Sequence, residues 1–378
     1  MDLEKYIAQN ENTVLELLRT LCAIPAPSHH EERRAAFCKA WLEEHGAEGV
    51  FIDDALNVVY PYHAENAERV SLFLAHTDTV FPDTEPMPMV EENGKMHCPG
   101  VGDDTANVAI LMLMAAYIAQ EQPETKDGIV IALNSCEEGL GNLKGGRALM
   151  ARYGDRVQEV ISFDGYIEEI CASAVGSLRY QVTVRTEGGH SYAAFGNTNA
   201  IERLAAMIAE LYAYPLPQDG SRTTFNVGQI QGGTSVNTIA QEAWMLYEFR
   251  SDNYDSLLHA KAFFEQVIAG FRETGLAVEV ELLGERPCGR KGDPDPRQAA
   301  LLERCAASIE KRAGLKPGFH AGSTDCNIPL SMGISAATVG LCSGGGAHTR
   351  EEWIETESLK AGFGIAADLI SAHFEPKP

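Results

Sequence analysis

No CxxC pair and no even-numbered cysteine framework occurs in this chain, and no basic stretch precedes an early apolar run. The nine cysteines (Cys22, Cys38, Cys98, Cys136, Cys171, Cys288, Cys305, Cys326 and Cys342) are odd in number and scattered. That pattern fits isolated reduced thiols in the cytoplasm rather than a secreted disulfide scaffold. The opening MDLEKYIAQNENTVLELL carries acids early, so it reads as part of the fold and not as a signal or transit peptide. Long hydrophobic runs are also missing: the longest, Val108 to Ala119, is too short to span a bilayer, and no membrane partner is expected. Basic residues are scarce, with 30 Lys and Arg against 54 Asp and Glu and a formal charge of −24. Such a surface repels phosphate backbones, which excludes nucleic acid as an expected partner. GxxxxGK[ST] and GxSxG are absent, so P-loop and serine-hydrolase chemistry have no motif behind them. Gly139, Gly141 and Gly145 have GxGxxxG spacing behind two glutamates, which departs from the dinucleotide-binding fingerprint.

What is present organises the chain into two domains, each large enough to bury a core. An opening helix runs up to Pro25. Continuous apolar stretches near 50–60, 70–75, 128–134 and 157–163 alternate with helical segments, the pattern of a mixed or parallel sheet covered on both faces. From residue 178 the pattern changes. Leu178, Tyr180, Val182 and Val184 alternate along one strand, a helix follows around 201–211, then strands near 224–231 and 241–250, a helix over 254–274 and the alternating LAVEVELL. This βαββαβ order predicts a ferredoxin-like unit. The fold class is therefore α/β, with one domain at 1–177 and 290–378 and an inserted α+β domain at 178–289. The Gly, Pro and charge-rich GERPCGRKGDPDP returns the chain to the first domain through a helix at 296–313.

Acids and histidines then collect where apolar strands end. His76 and Asp78 follow SLFLA, Asp103 and Asp104 follow CPGVG, Glu137 and Glu138 follow GIVIALNSC, Asp164 follows VQEVISF, and His348 follows AATVGLCSGGGA. A buried charge costs several kcal/mol unless it is paired or holds a metal. Taken singly, His76 and Asp78 also read as a core histidine with a capping acid, one Asp of the Gly102-Asp103-Asp104 segment as a helix N-cap, and the glutamate pair as a solvated loop. Together, two histidines and three carboxylates besides Asp78 and Glu137 read as a metal centre. Asp78, two residues beyond His76 in an extended segment, can orient that imidazole. Of the adjacent glutamates, one suits a ligand, and the other a free base nearer the entrance that takes a proton from water and passes it to a leaving amine. Mixed nitrogen and oxygen donors suit zinc, and also cobalt or manganese.

With the IPAPS, HTD, GDD, CEEG, FDG, GGHS, GGTSVNTIA and AHTREEW segments in place, the sequence resembles the two-zinc exopeptidase and deacylase family. That family includes peptidase T-type tripeptidases, carboxypeptidase G, acetylornithine deacetylase and succinyl-diaminopimelate desuccinylase. The resemblance covers nearly the whole chain. It implies a catalytic domain with two divalent ions, Asp103 bridging them, His76 and Asp164 on one ion, Glu138 and His348 on the other. It further implies Glu137 as general base, Asp78 as the residue orienting His76, and a cis peptide bond between Asp103 and Asp104. In the inserted domain, a lid that commonly dimerises, His190 matches a histidine supporting the oxyanion, and Asn237 and Arg250 match substrate contacts. Thr105 stands where many relatives carry lysine. Asp164 stands where aminopeptidase-type relatives carry Asp and carboxypeptidase or deacylase relatives carry Glu. The expected activity is therefore hydrolysis of di- or tripeptides from the N-terminus; the alternative is carboxypeptidase or N-acyl amino acid deacylase action.

Overall fold

A computed structural model describes residues 2–289 and 296–375. The chain divides into two compact units, one formed by Met1–Ser173 and Gly292–Pro378 and the other by Ala174–Lys291. The inserted boundary expected at 178 falls four residues into the second unit, and the one at 290 lies outside the described residues.

The first unit is built on an eight-stranded sheet in the order Phe51–Ile52, Val58–Tyr62, Gly128–Asn134, Val70–His76, Val157–Phe163, Ser335–Val339, Glu169–Ala174 and Gly318–Gly322. Val70–His76 runs parallel to Gly128–Asn134 and to Val157–Phe163, and the latter is parallel to Ser335–Val339. Every residue of Val70–His76 and Gly128–Asn134 is buried, which explains their unbroken apolar sequences. The parallel register brings the carboxyl ends of these strands to one sheet edge, where crevices of open α/β sheets form.

Helix Ala106–Glu121 is buried from Ala106 through Ala119 and is apolar on all sides. The helical stretch Val101–Glu121 is long and apolar enough to cross a membrane, contrary to the length read from Val108–Ala119, but 94% of its most apolar window is buried inside the protein. It is the core helix of this unit.

Two local expectations are corrected. The opening helix is two helices, Leu3–Gln9 and Glu11–Cys22, broken at Asn10, whose Nδ2 donates to the Tyr6 carbonyl. The stretch 50–60 is not one strand but an antiparallel pair, because the Asp53 carboxylate accepts the Ala55 and Asn57 N–H groups and folds the chain back.

The second unit is a four-stranded antiparallel sheet in the order Thr223–Gly232, Glu242–Ser251, Gly176–Arg185 and Ala277–Arg286. With helices Ala200–Leu211 and Tyr254–Glu273 this is the βαββαβ ferredoxin-like arrangement. Leu178, Tyr180, Val182 and Val184 all enter its core together with Met245, Tyr247, Phe249 and Phe264. Both helices start on asparagine caps: Asn199 accepts the Ile201 and Glu202 N–H groups, and Asn253 accepts that of Ser256.

Close backbone packing in the first unit is testable at Gly362, in the last helix Ser358–Ser371. A Cβ there would lie 1.6 Å from the Leu341 carbonyl oxygen, a clash that side-chain repacking cannot relieve. Gly362→Ala should destabilise the protein by roughly 3 kcal/mol or more, read from denaturant unfolding. Wild-type stability would show that the helix does not pack on this backbone.

Candidate metal centre

His76 is the last residue of its strand, and the chain leaves the sheet through Thr77 and Asp78, with Thr77 N–H donating to the Asn134 carbonyl at 2.7 Å. The Asp78 carboxylate is fully buried. Its Oδ1 accepts the Glu137 N–H and its Oδ2 the Glu138 N–H, each at 3.0 Å, and Ser28 Oγ donates to Oδ2 at 2.7 Å. Oδ1 also lies 3.4 Å from His76 Nδ1, whose hydrogen bond at 3.0 Å is to the Asp78 carbonyl. Asp78 thus fixes the imidazole and the backbone of both glutamates at once.

The Asp103–Asp104 peptide bond is cis, in a turn that leads into the core helix. Neither aspartate caps that helix, and Asp103 stands in this turn rather than at a strand end. Asp104 turns inward: its Oδ2 accepts the His76 N–H at 2.8 Å and its Oδ1 meets the Asn107 side-chain amide. Asp103 faces the histidines instead. Its Oδ1 lies 3.0 Å from His76 Nε2 and its Oδ2 3.1 Å from His348 Nε2. Asp164 Oδ1 is 3.8 Å from His76 Nε2, and Glu138 Oε1 is 3.1 Å from His348 Nε2.

Among the described residues three donor sets result, each with its candidate ligand atoms within 4.8 Å of one another: His76, Asp103 and Asp164; Asp103, Glu138 and His348; and His76, Glu137 and Glu138. The first two share Asp103 through its two different oxygens. Glu137 and Glu138 are equally buried, at 5% and 4% exposure, and both face the cluster. The expected placement of Glu137 nearer the entrance has no counterpart in burial, because Asp78 draws both backbones to the same depth.

Charge explains why such a site suits cations. Burial acts to lower the His76 pKa, but Asp104, Asp103, Asp78 and Asp164 outweigh it and raise it well above the usual range. Asp103 and Glu138 raise His348 to about 11. Burial pushes Asp164 up to about 7, with Asp103, Glu138 and Asp325 adding to the rise against His76. For Asp103 burial raises the pKa, yet the facing His348 and His76 pull it below the normal range. Five donors of mixed nitrogen and oxygen type, crowded until protons must compensate their charge, match what divalent ions require. Buried Glu138 Oε1 has no aligned hydrogen bond despite His348 Nε2 at 3.1 Å, an arrangement that two donors to one cation would adopt.

His190, Asn237 and Arg250 lie in the second unit. Gly189–His190 pairs with Thr238–Ile239, and Ser191 N–H donates to the Asn237 carbonyl at 2.9 Å, so His190 and Asn237 are neighbours. Arg250 forks onto Glu248, with both contacts at 3.0 Å.

Residues 72–372 match the sequence profile of peptidase family M20/M25/M40. The chain belongs to that family. As an M20 protein it is a metal-dependent hydrolase of peptide or amide bonds. A succinyl-diaminopimelate desuccinylase of Corynebacterium glutamicum is 26% identical over 359 residues, covering 91% of this chain and 92% of the relative. Among solved structures, a Staphylococcus aureus tripeptidase aligns with TM-score 0.75 at 21% identity, over 96% of this chain and 98% of that one. A dinuclear metal-binding peptidase of the M20 family from Bacillus subtilis aligns with TM-score 0.63 at 16% identity, over 96% and 98%.

Several residues around the M20 site are not evident from sequence. Ser28 lies in the IPAPS segment and Glu352 in AHTREEW, where nothing in the residue pattern sets either apart from its neighbours. Asn107 and Asn134 give no signal, being single amides in apolar surroundings; Asn107 Oδ1 accepts the Leu341 N–H, and Asn134 Nδ2 donates to Asp325.

The raised imidazole pKa values set a sign. In the cation-free protein the two charged imidazoles add stability that is complete below the unfolded value near about 6.5 and lost as pH rises through the raised values. Ligation requires neutral rings and a charged Asp164, so zinc uptake at neutral pH should release close to one proton from each imidazole and part of one from Asp164, and should tighten with rising pH. Calorimetry in buffers of different ionisation enthalpy reads this directly. A buffer-independent heat would mean that the rings are not charged by their neighbours.

Proposed function

We propose that this chain is a cytoplasmic, dinuclear metal exopeptidase that removes the N-terminal residue from di- or tripeptides. The observation that carries this reading is the Asp103 carboxylate, which offers one oxygen to each of two donor triads beside a glutamate held by Asp78. His76, Asp103 and Asp164 would hold one ion, and Asp103, Glu138 and His348 the other. Zinc is the assigned metal, with cobalt or manganese as substitutes. Bound there, the ions would supply Lewis acidity for the scissile carbonyl and for the attacking water. Glu137 then takes the proton from the attacking water and returns it to the departing amine. Asp78 keeps Glu137 in reach of both, through the backbone hydrogen bond at 3.0 Å. All nine cysteines are free and buried, which supports a reducing compartment.

His190 is assigned to the oxyanion. Its Nδ1 accepts the Tyr192 and Ala193 N–H groups at 3.2 and 3.4 Å, which leaves the ring proton on Nε2 as a donor. Asn237 and Arg250 are assigned to substrate. Arg250 would exchange its fork on Glu248 for a substrate carboxylate. The similarity to a desuccinylase along nearly the full chain favours a second reading, hydrolysis of an N-acyl amino acid by the same residues, with carboxypeptidase action beside it. The Asp at 164 favours the aminopeptidase.

A homodimer through the ferredoxin-like unit completes the proposal. Its edge strand Thr223–Gly232, TTFNVGQIQG, carries no charge, whereas the opposite edge Ala277–Arg286 carries Glu279, Glu281, Glu285 and Arg286. Charged edges resist pairing and uncharged ones permit it. Sedimentation should give a dimer that Ile230→Lys dissociates; a wild-type monomer at micromolar concentration sinks the idea.

The activity is tested by assaying free tripeptides, N-acetyl amino acids and N-blocked peptides with zinc, cobalt or manganese. Free tripeptides should be cleaved from the N-terminus, and turnover of N-blocked substrates alone would overturn the aminopeptidase reading. Glu137→Gln should keep its metal content while turnover falls by about 10² to 10⁴-fold, whereas Glu138→Gln should lose metal. Exchanged phenotypes would reverse the assignment of base and ligand.

A further inference from the structure

Glu352 is fully buried, yet among the described residues it has no ion-pair partner. Its carboxylate instead accepts three main-chain N–H groups from the turn that carries Asp103. Oε2 takes Gly100 N–H at 2.6 Å, and Oε1 takes Gly102 and Asp103 N–H, both at 2.8 Å. Its own carbonyl accepts the Cys98 N–H at 3.1 Å, so main chain and side chain grip the same turn from both ends. Three donors converging on one carboxylate offset part of its desolvation, although burial and the nearby Asp103 still push its pKa up to about 7.

The glutamate also stands four residues beyond His348. One short segment therefore supplies a ligand to the second triad and holds the backbone nitrogen of the residue shared by both triads. Gly100 takes a left-handed conformation at φ 76°, and a Cβ there would lie 2.6 Å from Thr79 Cγ2. At Gly102 a Cβ would meet Tyr166 Cε1 at 2.7 Å. The turn is thus packed too closely for side chains at both glycines, and its free N–H groups point at Glu352.

We propose that Glu352 is a positioning residue for metal loading, which fixes Asp103 so that its two oxygens reach both triads together. The proposal rests on the dinuclear reading above and adds a residue that contributes no donor to any of the three sets. Because Asp103 is shared, a shift of its backbone perturbs both triads, whereas loss of His348 perturbs one. Glutamine is not a conservative replacement here. It offers a single acceptor oxygen, and its NH₂ group would face a backbone N–H where Glu352 has an oxygen.

Cobalt(II) titration of the cation-free full chain tests this, with calorimetry and the visible d–d spectrum as readouts and circular dichroism as the check on folding. Glu352→Gln should bind both ions at least about tenfold more weakly, the range expected when a supporting partner of a ligand is lost. Glu351→Gln, an exposed neighbour, should titrate as wild type. A merely structural role predicts a lower melting temperature with wild-type affinity. Wild-type affinity, or weakening confined to one ion, would overturn the proposal. Should Glu352→Gln not fold, Glu352→Asp keeps both oxygens but withdraws them by one methylene. It should weaken both ions as well, and unchanged affinity there counts equally against the idea. Hydrogen exchange of the cation-free wild type reads the clamp without any metal present. The amides of residues 100, 102 and 103 should be protected, and exchange at the rate of open loops would remove the clamp. A wild-type chain that binds no cobalt would instead sink the dinuclear reading, with the clamp still decided by amide exchange.

Discussion

One carboxylate facing two imidazoles is the interaction on which the site depends. Asp103 brings His76 and His348, from segments far apart in the chain, within 3.0 and 3.1 Å of its two oxygens. Burial alone could not hold the charged His76 there, since burial disfavours its charged form, and His348 keeps an exposed side chain. The surrounding acids reverse that preference, and in the proposed function the same acids would serve as ligands once protons are exchanged for cations. The fold serves this exchange by ending three parallel strands at one edge, so that His76, Asp164 and the glutamate pair leave the sheet together.

Around this centre stands a second layer of acids that spend their oxygens on backbone N–H groups. Asp78 holds Glu137 and Glu138, Asp104 holds His76, and Glu352 holds the Asp103 turn. Each therefore fixes a donor without competing for a cation. Two of the doubled acids, Asp103 with Asp104 and Glu351 with Glu352, have this division behind them: in each pair one residue is buried and serves the backbone while its neighbour is more exposed. The glutamate pair at 137 and 138 is arranged differently. Both of its side chains face the cluster, because Asp78 already supplies the backbone acceptors that a neighbouring acid supplies elsewhere.

This contrast explains what was legible in the sequence. Strands with continuous apolar character, the alternating Leu178 to Val184 and the βαββαβ order could be read because burial imposes a period on the residues. The clustered acids and histidines could be read because charge at the end of a buried strand is costly without a purpose. Asn10 and Asp53 were missed as chain breakers, since each acts through side-chain hydrogen bonds that leave no period. Glu352 was invisible for a different reason. Its partners are backbone N–H groups of Gly100, Gly102 and Asp103, brought to it by tertiary folding across about 250 residues of chain, and no spacing rule connects such distant groups. The exposed Glu351 beside it gave the same letter with no role.

The charge balance acts at a longer range than the site. A formal charge of −24 makes a long-range field that attracts an α-ammonium group and repels a carboxylate, but solvent ions screen it within about 8 Å at physiological salt. Its effect is on encounter. Discrimination between a free N-terminus, a C-terminus and an N-acyl group must then come from fixed groups at short range. In the proposed function the donor triads would act on the scissile carbonyl, which every one of these substrates has, so they would not discriminate. In the proposed function that choice falls to the second unit, where Arg250 is engaged by Glu248 at 3.0 Å and a substrate carboxylate must outcompete an intramolecular one. An arginine already satisfied in this way would yield only to a carboxylate that matches its fork as well as Glu248 does, so the exchange would select for a free carboxylate at short range.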